Sequence, residues 1–130
     1  MCIGREAEDG VGTSPDDLLT FLTDNPGMTT GTPEPTTVDG HQAVALDILG
    51  HTEGPGLCSA DGFVWAPGFV RDTSYEVTLP AGDAWHLILV DMGENTVAIV
   101  ADADPATLDA WKAETAPIID SFQFPPAGDR

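Results

Sequence analysis

The stretch AWHLILVDMGENTVAIVADADPATLDAWKAETAPIIDSF, residues 84–122, decides the fold of this 130-residue chain. Its first part contains two almost continuously apolar runs, 85–90 and 97–101. Such runs are typical of strands that are covered on both faces of a sheet. The turn residues Gly93-Glu94-Asn95 between them indicate an antiparallel hairpin with a loop of four or five residues. We therefore expect this hairpin to form the centre of the fold and not an edge.

A helix is predicted directly after the hairpin. Asp104 is a typical N-cap residue, and Pro105 suits the first helical position. One face of this helix is marked by residues that recur every three to four positions, namely Leu108, Trp111, Thr115, Ile118 or Ile119, and Phe122. Pro117 lies inside the pattern, and an interior proline costs roughly 3 kcal/mol. We expect a kink, or a break with a restart, near residues 113–116.

A second, shorter helix is predicted near the start of the chain. Ser14 can cap it, Pro15 suits its first position, and Asp16 and Asp17 favour the positive end of the helix dipole. The turn sequence at 25–27 ends it, which gives a helix of about ten residues.

Strands are predicted between the two helices. The Thr-rich segment 29–38 contains two prolines, which favour an edge strand or an extended arm. Asp39-Gly40 is typical of a two-residue hairpin turn, and the alternation at 43–48 predicts a half-buried strand with Val44, Leu46 and Ile48 on its apolar face. Two further short strands are predicted at 62–65 and 75–79.

The predicted elements form one domain of the α+β class. Residues 1–13 are rich in glycine and acid and are expected to be a flexible N-terminal segment, 14–124 the domain, and 125–130 a tail. The strands of the hairpin are too apolar to face water on either side, so both faces of the sheet must be covered, and the two helices are the candidates for this. The expected architecture is an antiparallel β-sheet flanked by helices, an α/β/α sandwich.

The charge of the chain limits its partners. It contains 22 Asp and Glu residues against one Lys and three Arg, a net charge of −18. Such a surface repels phosphate, so we expect neither nucleic-acid binding nor direct binding to anionic membranes. Solubility is the simplest explanation of the charge. A cation-binding surface or a protein partner remains open, and the sequence does not fix the oligomeric state.

The two cysteines, Cys2 and Cys58, leave two alternatives open. They could form a disulfide in an oxidising compartment or remain two unpaired thiols, and their spacing does not decide between these. The start of the chain, residues 1–4, is too short to be a signal peptide, and it is compatible with a targeting segment further upstream.

No catalytic motif is present in the sequence. There is no Gly-x-Ser-x-Gly, no phosphate-cradling glycine loop and no His-Glu-x-x-His. His41, His51 and His86 fall on different predicted elements and are interpreted as surface or partly buried side chains. The carboxylates around the hairpin and the helix start are explained by turns and capping. The sequence therefore predicts no catalytic residue, no metal and no cofactor.

The segment GFVWAPGFV, residues 62–70, is the strongest candidate for a binding surface. It is apolar, it lies between loops, and it follows Cys58. If it is exposed, it forms a patch for a partner or ligand. The candidate binding residues are Phe63, Trp65, Phe69 and Tyr75.

Several short patterns together resemble a known family. They are Leu18 to Leu22 with Asn25-Pro26, Pro35 with Val38-Asp39-Gly40, Leu46-Asp47, Asn95-Thr96-Val97, and Ile119-Asp120-Ser121-Phe122. Over about residues 14–124 the sequence is similar to actinobacterial secreted proteins with a PsbP-like fold, the group that includes the LpqN lipoproteins. Members of that family have an N-terminal strand pair before the first helix. Here a helix is predicted by residue 14, so the pair is either missing or outside this sequence, which would leave an edge or groove open.

The resemblance implies a non-catalytic interaction domain that acts outside the cytoplasm or at the cell surface, and it transfers no catalytic residue. Two alternatives stay open beside it. One is a small-ligand binding or carrier module that uses the aromatic segment 62–70. The other is a metal-assisted enzyme.

Overall fold

The computed structural model describes residues 14–24, 28–51, 62–65, 77–80, 82–93 and 96–124, with backbone alone for 62–65 and 77–80. The helices are α1 (Pro15–Thr23) and α2 (Leu108–Asp120), the latter preceded by a 3₁₀ turn, Pro105–Thr107. The strands are β1 (Met28–Thr30), β2 (Glu34–Val38), β3 (His41–Gly50), β4 (Gly62–Trp65), β5 (Val77–Pro80), β6 (Ala84–Asp91) and β7 (Thr96–Ala103). This mixture of helices and strands confirms the α+β class.

The main sheet has five antiparallel strands arranged around the long strand β3. One edge of β3 pairs first with β2 and then with β1, from Val38 opposite His41 to Met28 opposite Gly50. Its other edge pairs with β6, which in turn pairs with β7. β4 and β5 form a separate two-stranded sheet. The predicted hairpin of β6 and β7 is therefore confirmed, and the Thr-rich segment forms two edge strands.

Local sequence signals explain how α1 and the β2–β3 turn form. The side chain of Ser14 accepts a hydrogen bond from the backbone of Asp17, and the Asp17 carboxylate accepts one from the backbone of Ser14. At the turn, Asp39 and Gly40 have φ angles of 49° and 77°. Two successive positive φ values are those of the two-residue hairpin turn that matches the strand twist. Both sequence predictions are confirmed.

The two helices lie on opposite faces of the main sheet. α1 packs on a face of large apolar side chains, and this core consists of Leu18, Phe21, Leu22, Met28, Leu46, Ile48, Trp85, Leu87 and Leu89. α2 packs on the other face through Ile119, and the buried residues there are Val38, Ile88 and Val90. β6 contributes to both clusters, which is why its sequence is apolar without alternation.

The expectation that the whole hairpin is central is wrong for its second strand. Six of the eight residues of β6 are buried, and β6 lies between β3 and β7. β7 is half-buried, with Val100 39% exposed, and within the described ranges it pairs with β6 alone. An edge strand that carries small and β-branched residues looks in sequence like a central one, so the pattern did not separate them.

Two predictions about α2 are also corrected. The expected break with a restart is wrong, because the helix is continuous from Leu108 to Asp120, whereas the alternative of a kink stays a prediction. Pro117 is near its end, so the missing backbone donor removes one hydrogen bond and does not divide the helix. Trp111 was expected on the packed face, yet it is 41% exposed. The residues of α2 that are not exposed are Leu108, Lys112, Thr115 and Ile119.

Candidate functional site

Three ionisable side chains meet on the face of the sheet that α2 covers. Asp47 belongs to β3, His86 lies directly opposite it on β6, and Lys112 reaches them from α2. Lys112 is the single lysine of the chain. Residues from three elements therefore converge at one point, which the alternation of β3 explains: Ala43, Ala45 and Asp47 share the face opposite to the α1 core.

Asp47 holds the cluster together with both of its carboxylate oxygens. Nδ1 of His86 is 2.9 Å from Oδ1, and Nζ of Lys112 is 2.9 Å from Oδ2. The exposed fractions of the side chains are 15% for His86, 33% for Lys112 and 39% for Asp47. The cluster is thus half-buried, with one edge open to solvent.

The pKa of Asp47 is lowered below its ordinary value of 3.8. Partial burial acts to raise it, but the hydrogen bonds from Lys112 and His86 and the attraction of their charges outweigh burial. Asp47 is therefore a carboxylate at neutral pH and accepts from both neighbours. Because a carboxylate only accepts, the Nδ1 of His86 carries a proton, and its Nε2 is left for other partners.

A small groove opens beside this cluster. Its volume is about 240 Å³, and Asp47, His86 and Lys112 line it together with Thr32 and Glu34 of the β1–β2 region. The backbone N–H of Gly31 donates to the carbonyl of Asp47 at 2.7 Å and holds the β1–β2 connection against β3. The groove therefore has walls on three sides, namely the sheet, the connection and α2.

The opposite face of the sheet carries a contrasting acidic pair, Asp83 and Asp102. The pKa of Asp102 is raised, first by partial burial and then by the neighbouring Asp83, while contact with Trp85 partly offsets this. Trp85 is buried, and its Nε1 has no hydrogen-bond partner in the described part of the chain. Within the described residues these two carboxylates are not part of a group of three or more side chains that could hold a metal ion.

A larger hollow of about 370 Å³ lies at the start of α1. It is lined by Ser14, Asp16, Gln42 and Asp91, among others. Its charged groups are carboxylates of one sign, and Ser14 already caps the first turn of α1. The groove beside Asp47 is smaller but contains acidic, basic and imidazole groups together, so it is the better candidate for recognition.

The other two histidines are placed apart from the cluster. Nε2 of His51 is 2.7 Å from the hydroxyl of Thr29, and the His41 ring packs edge-on against Phe124 with centroids 6.0 Å apart. No group of three or more His, Cys, Asp and Glu side chains that could hold a metal occurs in the residues the structure describes. None of the described helices is long and apolar enough to cross a membrane.

The sequence-predicted binding residues are only partly within the described ranges. Phe63 and Trp65 lie in β4, opposite Leu79 and Val77. Phe69 and Tyr75 lie outside the described residues, as do Cys2 and Cys58. The roles of these residues therefore stay predictions, as does the choice between a disulfide and two thiols.

Sequence reasoning missed Asp47 and Lys112 as site residues and treated His86 as isolated. A usable signal was present. His86 interrupts the apolar run of β6, and Lys112 is the single lysine of a strongly acidic chain, so apolar packing explains neither residue. Comparisons with protein-family models, with curated proteins and with solved structures each found no match for this chain.

Proposed function

We propose that this chain is a non-catalytic binding domain that acts outside the cytoplasm and recognises its ligand in the groove beside Asp47, His86 and Lys112. One observation carries the proposal. Ionisable residues from β3, β6 and α2 converge on a half-buried face and line an open groove.

Stability is a weak reason for such a cluster. A partly exposed ion pair contributes about 0–1 kcal/mol, and replacing buried ion pairs by apolar side chains of similar volume is often neutral or stabilising. The same strands pack apolar side chains at their other positions. A cluster that stabilises the fold little and opens onto a groove supports a role in recognition.

The proposal is tested by following groove signals during titration with small probes. A panel of acetate, methylammonium, glycine, inorganic phosphate and glycerol covers anionic, cationic, zwitterionic and neutral groups. At least one probe is expected to give saturable shifts of the backbone amides of 31–34 and of the side-chain signals of His86 and Lys112. His41 and His51 act as internal controls. If no probe shifts the groove signals in a saturable way, the proposal fails.

General-base catalysis is a second candidate, favoured by the pair of Asp47 and His86. A carboxylate bound to Nδ1 orients an imidazole so that Nε2 can accept a proton from a substrate or water. Hydrolysis of p-nitrophenyl acetate provides a direct comparison with the variant His86→Asn. The binding proposal predicts equal rates for wild type and variant, whereas a loss of rate in the variant would favour catalysis.

The extracytoplasmic location is proposed from the family resemblance in the sequence. It is tested by adding protease to intact producing cells and following the chain by immunoblot. The proposal expects degradation under conditions that leave a cytoplasmic marker intact. Survival of the chain until the cells are lysed would contradict it.

A further inference from the structure

The groove retains hydrogen-bonding groups that the fold does not use. A lysine ammonium has three donors, and Lys112 donates to Asp47 alone among the described residues. Nε2 of His86 has no partner there, because the ring is bound through Nδ1. Thr32 and Glu34 also make no side-chain hydrogen bond within the part of the chain that the structure describes. Donors and acceptors are therefore both available to a ligand.

These groups are arranged with opposite charges on two sides of the groove. Glu34 pairs with Ala45, and Asp47 is two residues further along β3. Glu34 and Lys112 both line the groove and form no ion pair with each other, so a carboxylate and an ammonium are both available there to a ligand. An α-amino acid holds its ammonium and carboxylate about 3 Å apart. Such a molecule carries an ammonium for the Glu34 carboxylate and a carboxylate for the Lys112 ammonium.

The volume of the groove and the charge of the chain restrict the ligand class further. A volume of about 240 Å³ is below the roughly 300–1,000 Å³ that is typical of pockets for drug-sized ligands, so the ligand is small. The net charge of −18 disfavours the approach of a simple anion. A simple cation would leave the free N–H donors of Lys112 without an acceptor. A molecule with both charges and no net charge avoids both penalties.

We infer that the groove binds a small zwitterion of the α-amino acid class, with its carboxylate on Lys112 and its ammonium on Glu34 and on Nε2 of His86. This inference rests on the proposed function, since it names the ligand class of the same groove. Thr32 provides a hydroxyl beside the bound molecule.

The test compares a zwitterion with its two halves. Glycine, acetate and methylammonium are titrated separately at equal concentration and constant ionic strength. Signals of the Lys112 side chain are unique in the chain because it is the single lysine, and they are followed with those of His86. Glycine is expected to shift both sets with a Kd of about 1 mM or weaker, as its small size dictates. Acetate and methylammonium are expected to bind at least about tenfold more weakly.

Variants of Glu34 and His86 test whether these residues bind the ammonium of the ligand. Glu34→Gln is expected to weaken glycine binding about tenfold, because it removes a charge-assisted hydrogen bond. Glu114→Gln is the matched control, since Glu114 is exposed on α2 and does not line the groove. His86→Asn keeps a donor for Asp47 but removes Nε2, and it is also expected to weaken binding. Glu114→Gln is expected to bind glycine as wild type does.

The possible results distinguish a failure of the zwitterion inference from a failure of the proposed binding function. If acetate or methylammonium alone binds as well as glycine, the zwitterion inference is overturned while a binding groove remains. If Glu34→Gln and Glu114→Gln bind glycine equally well, the inference is also overturned. If none of the probes in the full panel shifts groove signals, the proposed function fails with it.

Discussion

The two faces of the main sheet differ in how they are closed. On the α1 face, Leu18, Leu22, Leu87 and Leu89 have no exposed surface. On the α2 face, Leu108 is the one buried residue of the longer helix, and Lys112 of the same helix forms an ion pair with Asp47. Apolar side chains cover the α1 face, whereas α2 covers the other face incompletely and leaves charged groups there. We therefore infer that the α1 face contributes most of the stability of the domain, which leaves the α2 face available for binding.

The largest change in the free energy of unfolding is expected when one helix residue is truncated on each face and the two losses are compared. Leu22→Ala on α1 removes a fully buried side chain and is expected to lower the free energy of unfolding by about 3 kcal/mol, within the usual range for such changes. Ile119→Ala on α2 removes a partly buried one and is expected to cost about 1 kcal/mol. Denaturant unfolding of both variants measures this. Equal losses would contradict the comparison between the faces.

Removing the centre of the ionic cluster gives an intermediate effect. Asp47→Ala leaves His86 and Lys112 without their carboxylate, and we expect a loss of about 1–3 kcal/mol at neutral pH. The folded pKa of Asp47 lies below its ordinary value of 3.8, so its contribution is present above that pH and is lost as the pH falls toward the folded pKa. The difference between wild type and variant should therefore shrink in acid.

Glu114→Ala is the control for that variant, because Glu114 is exposed on α2. Its stability is expected to stay within about 0.5 kcal/mol of wild type. If Asp47→Ala were no more destabilising than this control, the hydrogen bonds of the cluster would have no role in holding the α2 face.

Asp102 on the α1 face is expected to respond in the opposite direction. Its pKa is raised by burial and by Asp83, so its contribution to stability is present below pH 3.8 and is lost as the pH rises through the folded pKa. At neutral pH the ionised pair is repulsive. Asp102→Asn is expected to stabilise the fold by about 0.5 kcal/mol at neutral pH, the scale of an exposed charge pair.

Thermal unfolding at several pH values checks the Asp102→Asn variant. Its advantage over wild type should disappear as the pH falls below about 4, where the native carboxyl is protonated. Glu114→Gln, which also removes one negative charge, controls for net charge. An equal gain in both variants would show that net charge and not the Asp83–Asp102 pair is responsible.

Local sequence signals were sufficient for most of the fold. Ser14 with Pro15, Asp39 with Gly40, and Asp104 with Pro105 each predict an element boundary because their chemistry acts within a few residues. The edge position of β7 and the outward direction of Trp111 could not be predicted in this way. Both depend on which strand lies beside β6 and on how α2 is rotated, and these are decided by contacts between distant residues.

The candidate site depends still more on distant contacts. Asp47 and His86 are 39 residues apart, and Asp47 and Lys112 are 65 apart. The alternation of β3 predicts that Asp47 lies on the face opposite the α1 core. It does not predict that His86 lies beside Asp47, because this depends on the register of β3 with β6, which no local pattern contains.

We propose that the charged cluster on the α2 face serves recognition more than stability. The free energy of unfolding of the triple variant Asp47→Val, His86→Leu and Lys112→Met tests it most directly, because each change replaces a charged or polar group by an apolar one of roughly similar size. We predict a stability equal to or greater than that of the wild type, with binding in the groove abolished. A loss of several kcal/mol would show that the cluster is needed to hold the fold, and would contradict the claim.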